Sequence, residues 1–204
     1  MSEVILSHPD NEEPNVFTQA EVGWLPWLQP LTESELTDAH WEGLVERQRS
    51  KSDYFMLLAR DPDILRARTK TDNDIFYNQQ SGLPRAEREL AAAATSRSNG
   101  CIFCASVHAR FATRHSKRND DVQSLLDEGV GVDLDPRWNA IIRASVELTE
   151  TPISFSTGTI DELMSVGLDA AGVVDLIYAT AFFNWANRLM LSLGEPTPPS
   201  PAAR

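Results

Sequence analysis

The fold of this chain is constrained most by a run of strong helix formers. A helix-ending signal and a pair of cysteines follow that run directly. Residues 85–98, RAERELAAAATSRS, are rich in Ala, Glu and Arg, which favour helix. Asn99-Gly100 follows, and both residue types accept the left-handed conformation that ends helices. A second helix is predicted from about Cys101 to His115. The sequence therefore predicts two helices that pack as an antiparallel hairpin around a short turn.

Helical patterning continues through most of the chain from Thr32 onward. TESE and TIDE read as capping boxes, Thr32 with Glu35 and Thr159 with Glu162. A last long helix is predicted after Asp169. Alternating apolar and polar runs between hairpin dipeptides are almost absent. The predicted fold class is all-α, a multi-helix fold with a CxxC-bearing helical hairpin.

The length of 204 residues suits one domain with appended ends. Residues 1–31 carry four prolines and no regular period, so they are predicted to form an acidic, largely extended arm. Residues 32–195 form the predicted helical domain, and residues 196–204 a Pro-rich tail. GWLPWL, residues 23–28, is too apolar for a free arm and needs a surface in this chain or in a neighbouring subunit.

Net charge and hydropathy exclude several functional classes. The formal net charge of -12 argues against nucleic acid as a partner and against anionic membrane surfaces. No apolar run approaches the ~20 residues that cross a bilayer. The first residues lack the basic region of a signal peptide, so a cytoplasmic location is expected. Thiols are kept reduced there, which favours a catalytic or metal-binding pair over a permanent disulfide.

Both cysteines of the chain and one of its four histidines form a C-x-x-C-x-x-x-H pattern. On a helix, Cys101, Cys104 and His108 lie on one face. A helix that starts near Gly100 places both thiols in its first turns, where unpaired N–H groups and the helix dipole favour thiolate. The dipole acts most strongly on Cys101. Thiolate attacks peroxides and disulfides, so the spacing suits a redox site.

The preceding helix offers a carboxylate as proton partner. In an antiparallel hairpin Glu89 would lie nearly level with His108, by the ~1.5 Å rise per residue. Glu87 is the rival, but it lies about 200° round the helix from Glu89, so the two cannot both point into the site. Apolar periodicity does not choose between them.

Two other readings of the thiol pair stay open. A C-x-x-C pair and a histidine can hold zinc, which would make the chain a zinc-stabilised interaction module. No other cysteine exists, and His115 would lie ~10 Å from His108 along the helix, too far for one ion. The pair could instead serve a thiol-disulfide sensor or exchange protein that does not turn over peroxide.

The stretch RAERELAAAATSRSNGCIFCASVHARF resembles the core motif of alkylhydroperoxidase D-like proteins, within the carboxymuconolactone decarboxylase superfamily. That motif has a Glu twelve residues before C-x-x-C and a His four residues after the second Cys. Here these positions are Glu89, Cys101, Cys104 and His108. DLIYATAFFNWANRLMLSLG is similar to the closing helix of the peroxidase-related branch, and the resemblance spans about residues 35–195.

The resemblance implies a helical homo-oligomer that reduces hydroperoxides without a cofactor beyond its cysteine pair. It implies that Cys104 attacks the peroxide, that Cys101 resolves the resulting sulfenic acid, and that Glu89 and His108 relay protons. A thiol reductant protein or a small thiol would then close the cycle. The decarboxylase branch does without this thiol pair.

Two features qualify the resemblance. Some alkylhydroperoxidases carry a second His immediately before the second Cys, where this chain has Phe103, so the site is more apolar. Asn184, Asn187 and Arg188 interrupt the apolar last helix. They are predicted to hydrogen-bond neighbouring helix ends or a subunit partner, and the alternative is that they line the pocket leading to the thiols.

Overall fold

The computed structural model describes residues 5–80 and 82–199, and it confirms the predicted all-α class. Within that part of the chain, nine α-helices are accompanied by two short 3-10 turns and a two-stranded sheet. The elements in chain order are β1 (Val22–Pro26), α1 (Asp38–Leu44), α2 (Asp53–Leu58), α3 (Pro62–Tyr77), α4 (Arg85–Ser98), α5 (Ile102–Ser116), α6 (Asn119–Glu128), α7 (Pro136–Thr149), α8 (Thr157–Ser165), α9 (Ala170–Leu193) and β2 (Gly194–Pro199).

Helix α4 lies at the centre of the core and contacts α5, α7 and α9. The side chains of residues 90–94 are all fully buried, and four of these five residues are alanine. Small side chains let neighbouring helix backbones approach closely while Ala keeps the helix itself favourable. Thr95 and Ser96, also fully buried, donate their hydroxyls back to the carbonyls of Ala91 and Ala92. The hydroxyls of Thr95 and Ser96 are therefore buried without being left unpaired.

The two ends of the described chain pair with each other. Strand β1 runs antiparallel to β2, with Trp24 opposite Pro196. A Cβ at Gly194 would collide with the carbonyl of Leu25, so only glycine fits there. Neither strand shows alternating β-branched residues, which is why the sequence does not predict them. Strand β2 spans the predicted boundary between the helical domain and its tail.

The apolar GWLPWL segment covers its own chain. Trp24 is partly buried and packs against the core, edge-on to Tyr54 of α2, with the ring centroids 5.7 Å apart. The Trp27 indole donates to the Glu195 carboxylate at 2.8 Å. The surface that this segment was expected to need is thus supplied, at Trp24, by the helical domain of the same chain.

One of the two predicted capping boxes forms at the predicted place. Thr32 and Glu35 satisfy each other's backbone ends, although the element they open is a 3-10 turn, Glu33–Glu35. The second prediction, Thr159 with Glu162, is wrong. Ser156 caps α8, and Thr159 is the third residue of that helix and bonds back to the Ser156 backbone.

Across the described ranges, no single helix is long and apolar enough to cross a membrane. Helices α8 and α9 meet that length and composition only when they are taken together, and they are bent by 120° where they join.

Candidate redox site

The turn between α4 and α5 fixes the position of the two thiols at the start of α5. Asn99 is the last helical cap of α4, and Gly100 takes a φ of 78°, in the left-handed region. The Cys101 N–H then donates to the Ser96 carbonyl at 2.9 Å, which closes the helix end as a Schellman motif does. Cys101 is the N-cap of α5, and Cys104 lies in its first turn. The turn therefore places both sulfurs at the N-terminal end of a 15-residue helix.

Both thiols are free and buried, and their pKa values move apart. The pKa of Cys101 is lowered, chiefly because the Cys104 thiol donates a hydrogen bond to its sulfur; the Cys104 backbone N–H and Asn187 assist, against desolvation. The same hydrogen bond and burial raise the pKa of Cys104 well above its ordinary value. The pair thus holds one proton on Cys104 and favours negative charge on Cys101, in agreement with the helix-dipole argument.

The structure brings the predicted carboxylate and imidazole together. Glu89 of α4 is fully buried, and its Oε2 lies 2.5 Å from Nδ1 of His108 on α5. Its other oxygen accepts a hydrogen bond from Arg85 Nε at 2.7 Å. The His108 ring is held against Phe183, with the centroids 4.0 Å apart. Glu89 is therefore oriented by a cation on one side and orients the imidazole on the other.

The rival carboxylate points elsewhere. Arg137 of α7 holds Glu87 through two parallel hydrogen bonds, from Nε at 2.6 Å and from Nη2 at 2.7 Å. This bidentate pair anchors α7 to α4. The choice between Glu87 and Glu89 that periodicity leaves open is settled by this tertiary contact.

A chain of amides ties α9 to the thiol turn. Asn99 donates to Asn184 Oδ1 at 2.9 Å and to Asn187 Oδ1 at 3.0 Å, and Asn187 donates to Ser96 Oγ at 3.0 Å. Asn184 and Asn187 therefore bond a neighbouring helix end, as predicted, and Asn187 acts to lower the pKa of both thiols. The side chain of Arg188 is exposed and donates to the Asn184 carbonyl at 3.4 Å, within its own helix.

A cavity of about 280 Å³ opens onto one thiol of the pair. Cys104 and His108 line it, and Cys101 is not one of the described residues on its wall. Access therefore favours Cys104 as the thiol that meets a bound molecule, although the pKa values favour charge on Cys101. Most of the wall is aromatic and aliphatic, contributed by Tyr54, Phe55, Phe76, Tyr77, Phe103, Val107, Phe111, Phe183, Ala186 and Met190.

Two polar residues in this cavity escape the sequence analysis. Arg68 of α3 is buried, lies over the Phe55 and Phe182 rings, and bonds Asp72 at 3.1 Å. Tyr54 of α2 is buried beside it. The sequence gives only a weak indication that Arg68 belongs to a site, because Arg68 lies on the apolar side of a helix that is otherwise rich in charged residues.

No group of three His, Cys, Asp or Glu side chains in the described ranges is close enough to hold a metal ion. His115 is exposed near the end of α5, away from the thiols along the helix. Phe103, which stands where some alkylhydroperoxidases have a histidine, contributes an apolar wall to the cavity.

Comparison with known proteins places the central segment in one family. Residues 62–147 match the carboxymuconolactone decarboxylase family, a range that contains α3 to α5 and both cysteines. No curated protein matches the chain.

Three solved structures show the same fold over most of the chain. A peroxidase-related protein from Ralstonia eutropha JMP134, described as an alkylhydroperoxidase AhpD core, is 21% identical, covers 96% of this chain and 95% of its own, and has a TM-score of 0.68. A peroxidase-related protein from Silicibacter sp. TM1040 is 20% identical over 90% of this chain and 95% of its own, with a TM-score of 0.69. An alanine variant of the debrominase Bmp8, in complex with 2,3,4-tribromopyrrole, is 16% identical, covers 90% of this chain and 91% of its own, and has a TM-score of 0.65.

Proposed function

We propose that this chain, whose residues 62–147 match the carboxymuconolactone decarboxylase family and whose fold is that of an alkylhydroperoxidase AhpD core, reduces organic hydroperoxides with its two cysteines. One observation carries the proposal. Cys104 opens onto an apolar cavity beside His108, while Cys101 stands behind it and Glu89 holds the imidazole. A nucleophile, a resolving thiol and an oriented proton carrier are thus assembled around one substrate-sized space.

The chemistry consists of two balanced steps. In the first, Cys104 loses its thiol proton and attacks the hydroperoxide, the O–O bond breaks, and Cys104 sulfenic acid and an alcohol form. His108 takes the thiol proton and returns it to the leaving oxygen. In the second, the Cys101 thiolate attacks the sulfenic acid sulfur, the S–O bond breaks, and the hydroxide that leaves takes a proton from solvent to become water, so that a Cys101–Cys104 disulfide remains. The peroxide gains the two electrons that the sulfurs lose.

Negative charge on Cys101 assists the second step. Because the pKa of Cys101 is lowered and that of Cys104 is raised, Cys101 is already the charged sulfur when His108 takes the Cys104 proton. After the first step Cys101 is already the better nucleophile of a neighbouring pair. Access and acidity therefore divide the roles, with Cys104 attacking the substrate and Cys101 attacking Cys104.

The cavity wall favours a bulky, apolar hydroperoxide over hydrogen peroxide. Seven aromatic side chains line the space. One of them, Phe103, stands where some alkylhydroperoxidases have a polar histidine. A hydroperoxide with an aromatic or long aliphatic body would bury apolar area that hydrogen peroxide lacks. A thiol reductant, either a protein or a small thiol, must reduce the disulfide, and we propose that the chain acts as a homo-oligomer.

A second candidate reaction uses the same two thiols. The cavity is aromatic, and the structurally similar debrominase binds a tribrominated pyrrole. Reductive debromination would replace carbon-bound bromine by hydrogen and leave the same disulfide with release of bromide. Incubation of reduced protein with 2,3,4-tribromopyrrole, followed by bromide measurement, tests it.

The experiment that tests the main proposal follows consumption of cumene hydroperoxide with dithiothreitol as reductant. The wild type should consume it catalytically and faster than hydrogen peroxide. Cys104→Ser should abolish consumption while the helical circular dichroism spectrum and the unfolding midpoint are retained. Disulfide formation without catalytic consumption would instead support a thiol-disulfide sensor. Stoichiometric zinc in the purified protein, with unfolding by chelator, would support the interaction module.

A further inference from the structure

The cavity contains two hydrogen-bond donors that the protein itself leaves unused. The Tyr54 hydroxyl and Arg68 Nε are buried and have no hydrogen-bond partner among the described residues. Each of the two residues is 7% exposed, and both line the same cavity as Cys104. A buried donor without a partner costs about 1–3 kcal/mol, so its persistence in a cavity points to a ligand.

The surroundings hold both donors in place. The Arg68 guanidinium is fixed by the carboxylate of Asp72 and stacks within 5.3 Å of the Phe55 ring centroid. Tyr54 packs edge-on between Trp24 and Phe55, with ring centroids 5.7 and 5.3 Å away. Both elements that carry them, α2 and α3, pack against each other. The donors are therefore rigid before any ligand enters.

Charge and protonation fit an acceptor oxygen. Burial raises the pKa of Tyr54 above its ordinary value, so the side chain is a neutral phenol with a proton to donate at physiological pH. The hydrogen bond with Cys101 and burial raise the pKa of Cys104, and the positive charge of Arg68, on the wall of the same cavity, acts to lower it.

We propose that Tyr54 and Arg68 form an oxyanion site that binds the leaving oxygen of the hydroperoxide as Cys104 breaks the O–O bond. The inference rests on the proposed function. The sulfur–oxygen bond forms at the terminal oxygen, the inner oxygen leaves with the bonding pair, and its developing alkoxide accepts hydrogen bonds from Tyr54 Oη and Arg68 Nε. His108 supplies the proton that completes the alcohol. Donors aimed at developing charge in a water-poor cavity stabilise the transition state more than the bound substrate.

The reaction should then depend on these donors only when the leaving oxygen is strongly basic. An alkyl hydroperoxide releases an alkoxide and needs the site. A peroxycarboxylic acid releases a carboxylate, a much weaker base, and needs it far less. The two oxidants therefore separate oxyanion binding from every effect on the thiol itself.

The test is single-turnover oxidation of fully reduced protein by cumene hydroperoxide and by peroxyacetic acid. Tyr54→Phe should slow the hydroperoxide reaction by about 100-fold, the size of the loss for one oxyanion donor, and slow the peroxyacid reaction far less. Arg68→Lys keeps the charge, loses Nε, and should show the same selectivity. Tyr178→Phe, which removes the hydroxyl of an exposed tyrosine that does not line this cavity, is the matched control and should change neither rate.

The outcomes separate the two proposals. A wild type whose thiols react with neither oxidant overturns the peroxidase proposal and the oxyanion site with it. A wild type that reacts, with Tyr54→Phe unaffected or slowed equally for both oxidants, overturns the oxyanion site alone. Alkylation by iodoacetamide should proceed equally in wild type and Tyr54→Phe. A slower alkylation of the variant would assign its defect to the thiols and not to the leaving oxygen.

Discussion

His108 Nδ1 lies 2.5 Å from Glu89 Oε2, and both side chains are buried between α4 and α5. This contact fixes which imidazole nitrogen is engaged and leaves Nε2 as the nitrogen that can exchange a proton in the cavity. Arg85 bonds the other carboxylate oxygen, so the charge of Glu89 is balanced while its geometry is held. The contact thus links Glu89 of α4 to the face of α5 that carries the cysteines and His108.

Replacement of Glu89 by glutamine should slow oxidation of the thiols by hydroperoxide by about 10²–10⁴-fold, the usual contribution of a positioned proton carrier. The amide keeps the shape but cannot stabilise an imidazolium. Glu87→Gln is the matched control on the same helix, because it weakens only the pair with Arg137. It should lower the free energy of unfolding by about 1–3 kcal/mol and leave the rate unchanged. Equal rates in the two variants would contradict the assignment.

The two thiols should titrate in separate steps. A lowered pKa means that Cys101 is thiolate at a pH where an ordinary cysteine, with a pKa of about 8.5, is still protonated. The raised pKa of Cys104 delays the second proton to higher pH. Thiolate absorbance at 240 nm should therefore rise in one step below pH ~8.5 and in another above it. Cys104→Ala should move the first step upward in pH, since it removes the donor to the Cys101 sulfur, which a serine would replace. A single step near the ordinary value in the wild type would refute the coupling.

Asn187 should influence both stability and thiol acidity. Asn187→Ala removes the bonds to Ser96 and Asn99, two hydrogen bonds worth about 0.5–1.5 kcal/mol each, and should cost about 1–3 kcal/mol in urea unfolding. It also removes a hydrogen bond that lowers the pKa of each thiol, so the first titration step should move to higher pH. Arg188→Met, at the exposed neighbouring position, should change neither quantity. A thiol titration that is the same in Asn187→Ala and the wild type would limit Asn187 to packing.

Gly100 should be required for its backbone conformation and not for space. A Cβ at this position meets nothing within 4 Å, yet the φ of 78° is unfavourable for a residue that has one. Gly100→Ala should lower the free energy of unfolding by about 1–2 kcal/mol, and Gly100→Asn should lower it less. Ser98→Ala, at the exposed end of α4, should stay within about 0.5 kcal/mol of the wild type. Wild-type stability of Gly100→Ala would contradict the argument.

The candidate site could be read from sequence because most of it is local. The helical period places Cys101, Cys104 and His108 on one face of a helix. In a helical hairpin, the number of residues from the turn gives the height of each residue along its helix, so that residues at equal height can be paired. The same reasoning narrowed the carboxylate to two candidates. Only the contact between Glu87 and Arg137, 50 residues apart, made the final choice.

The parts that could not be read from sequence depend on long-range packing. Tyr54 and Arg68 come from helices whose positions relative to the thiols follow from no periodic rule, and an arginine on an apolar helix side usually reaches solvent. The pairing of β1 with β2 joins segments about 170 residues apart, one Pro-rich, and neither with a strand pattern. Ser156 could have been recognised as the cap of α8, but TIDE gave a competing match three residues later.

The central claim is that the two cysteines act together on a hydroperoxide. Its most direct test is the intact mass of fully reduced, metal-free protein after a short pulse of cumene hydroperoxide, with the remaining thiols alkylated. The mass should fall by two hydrogens with no alkylation, the signature of a Cys101–Cys104 disulfide. Full alkylation of both thiols would show that they are inert to the peroxide and would contradict the claim.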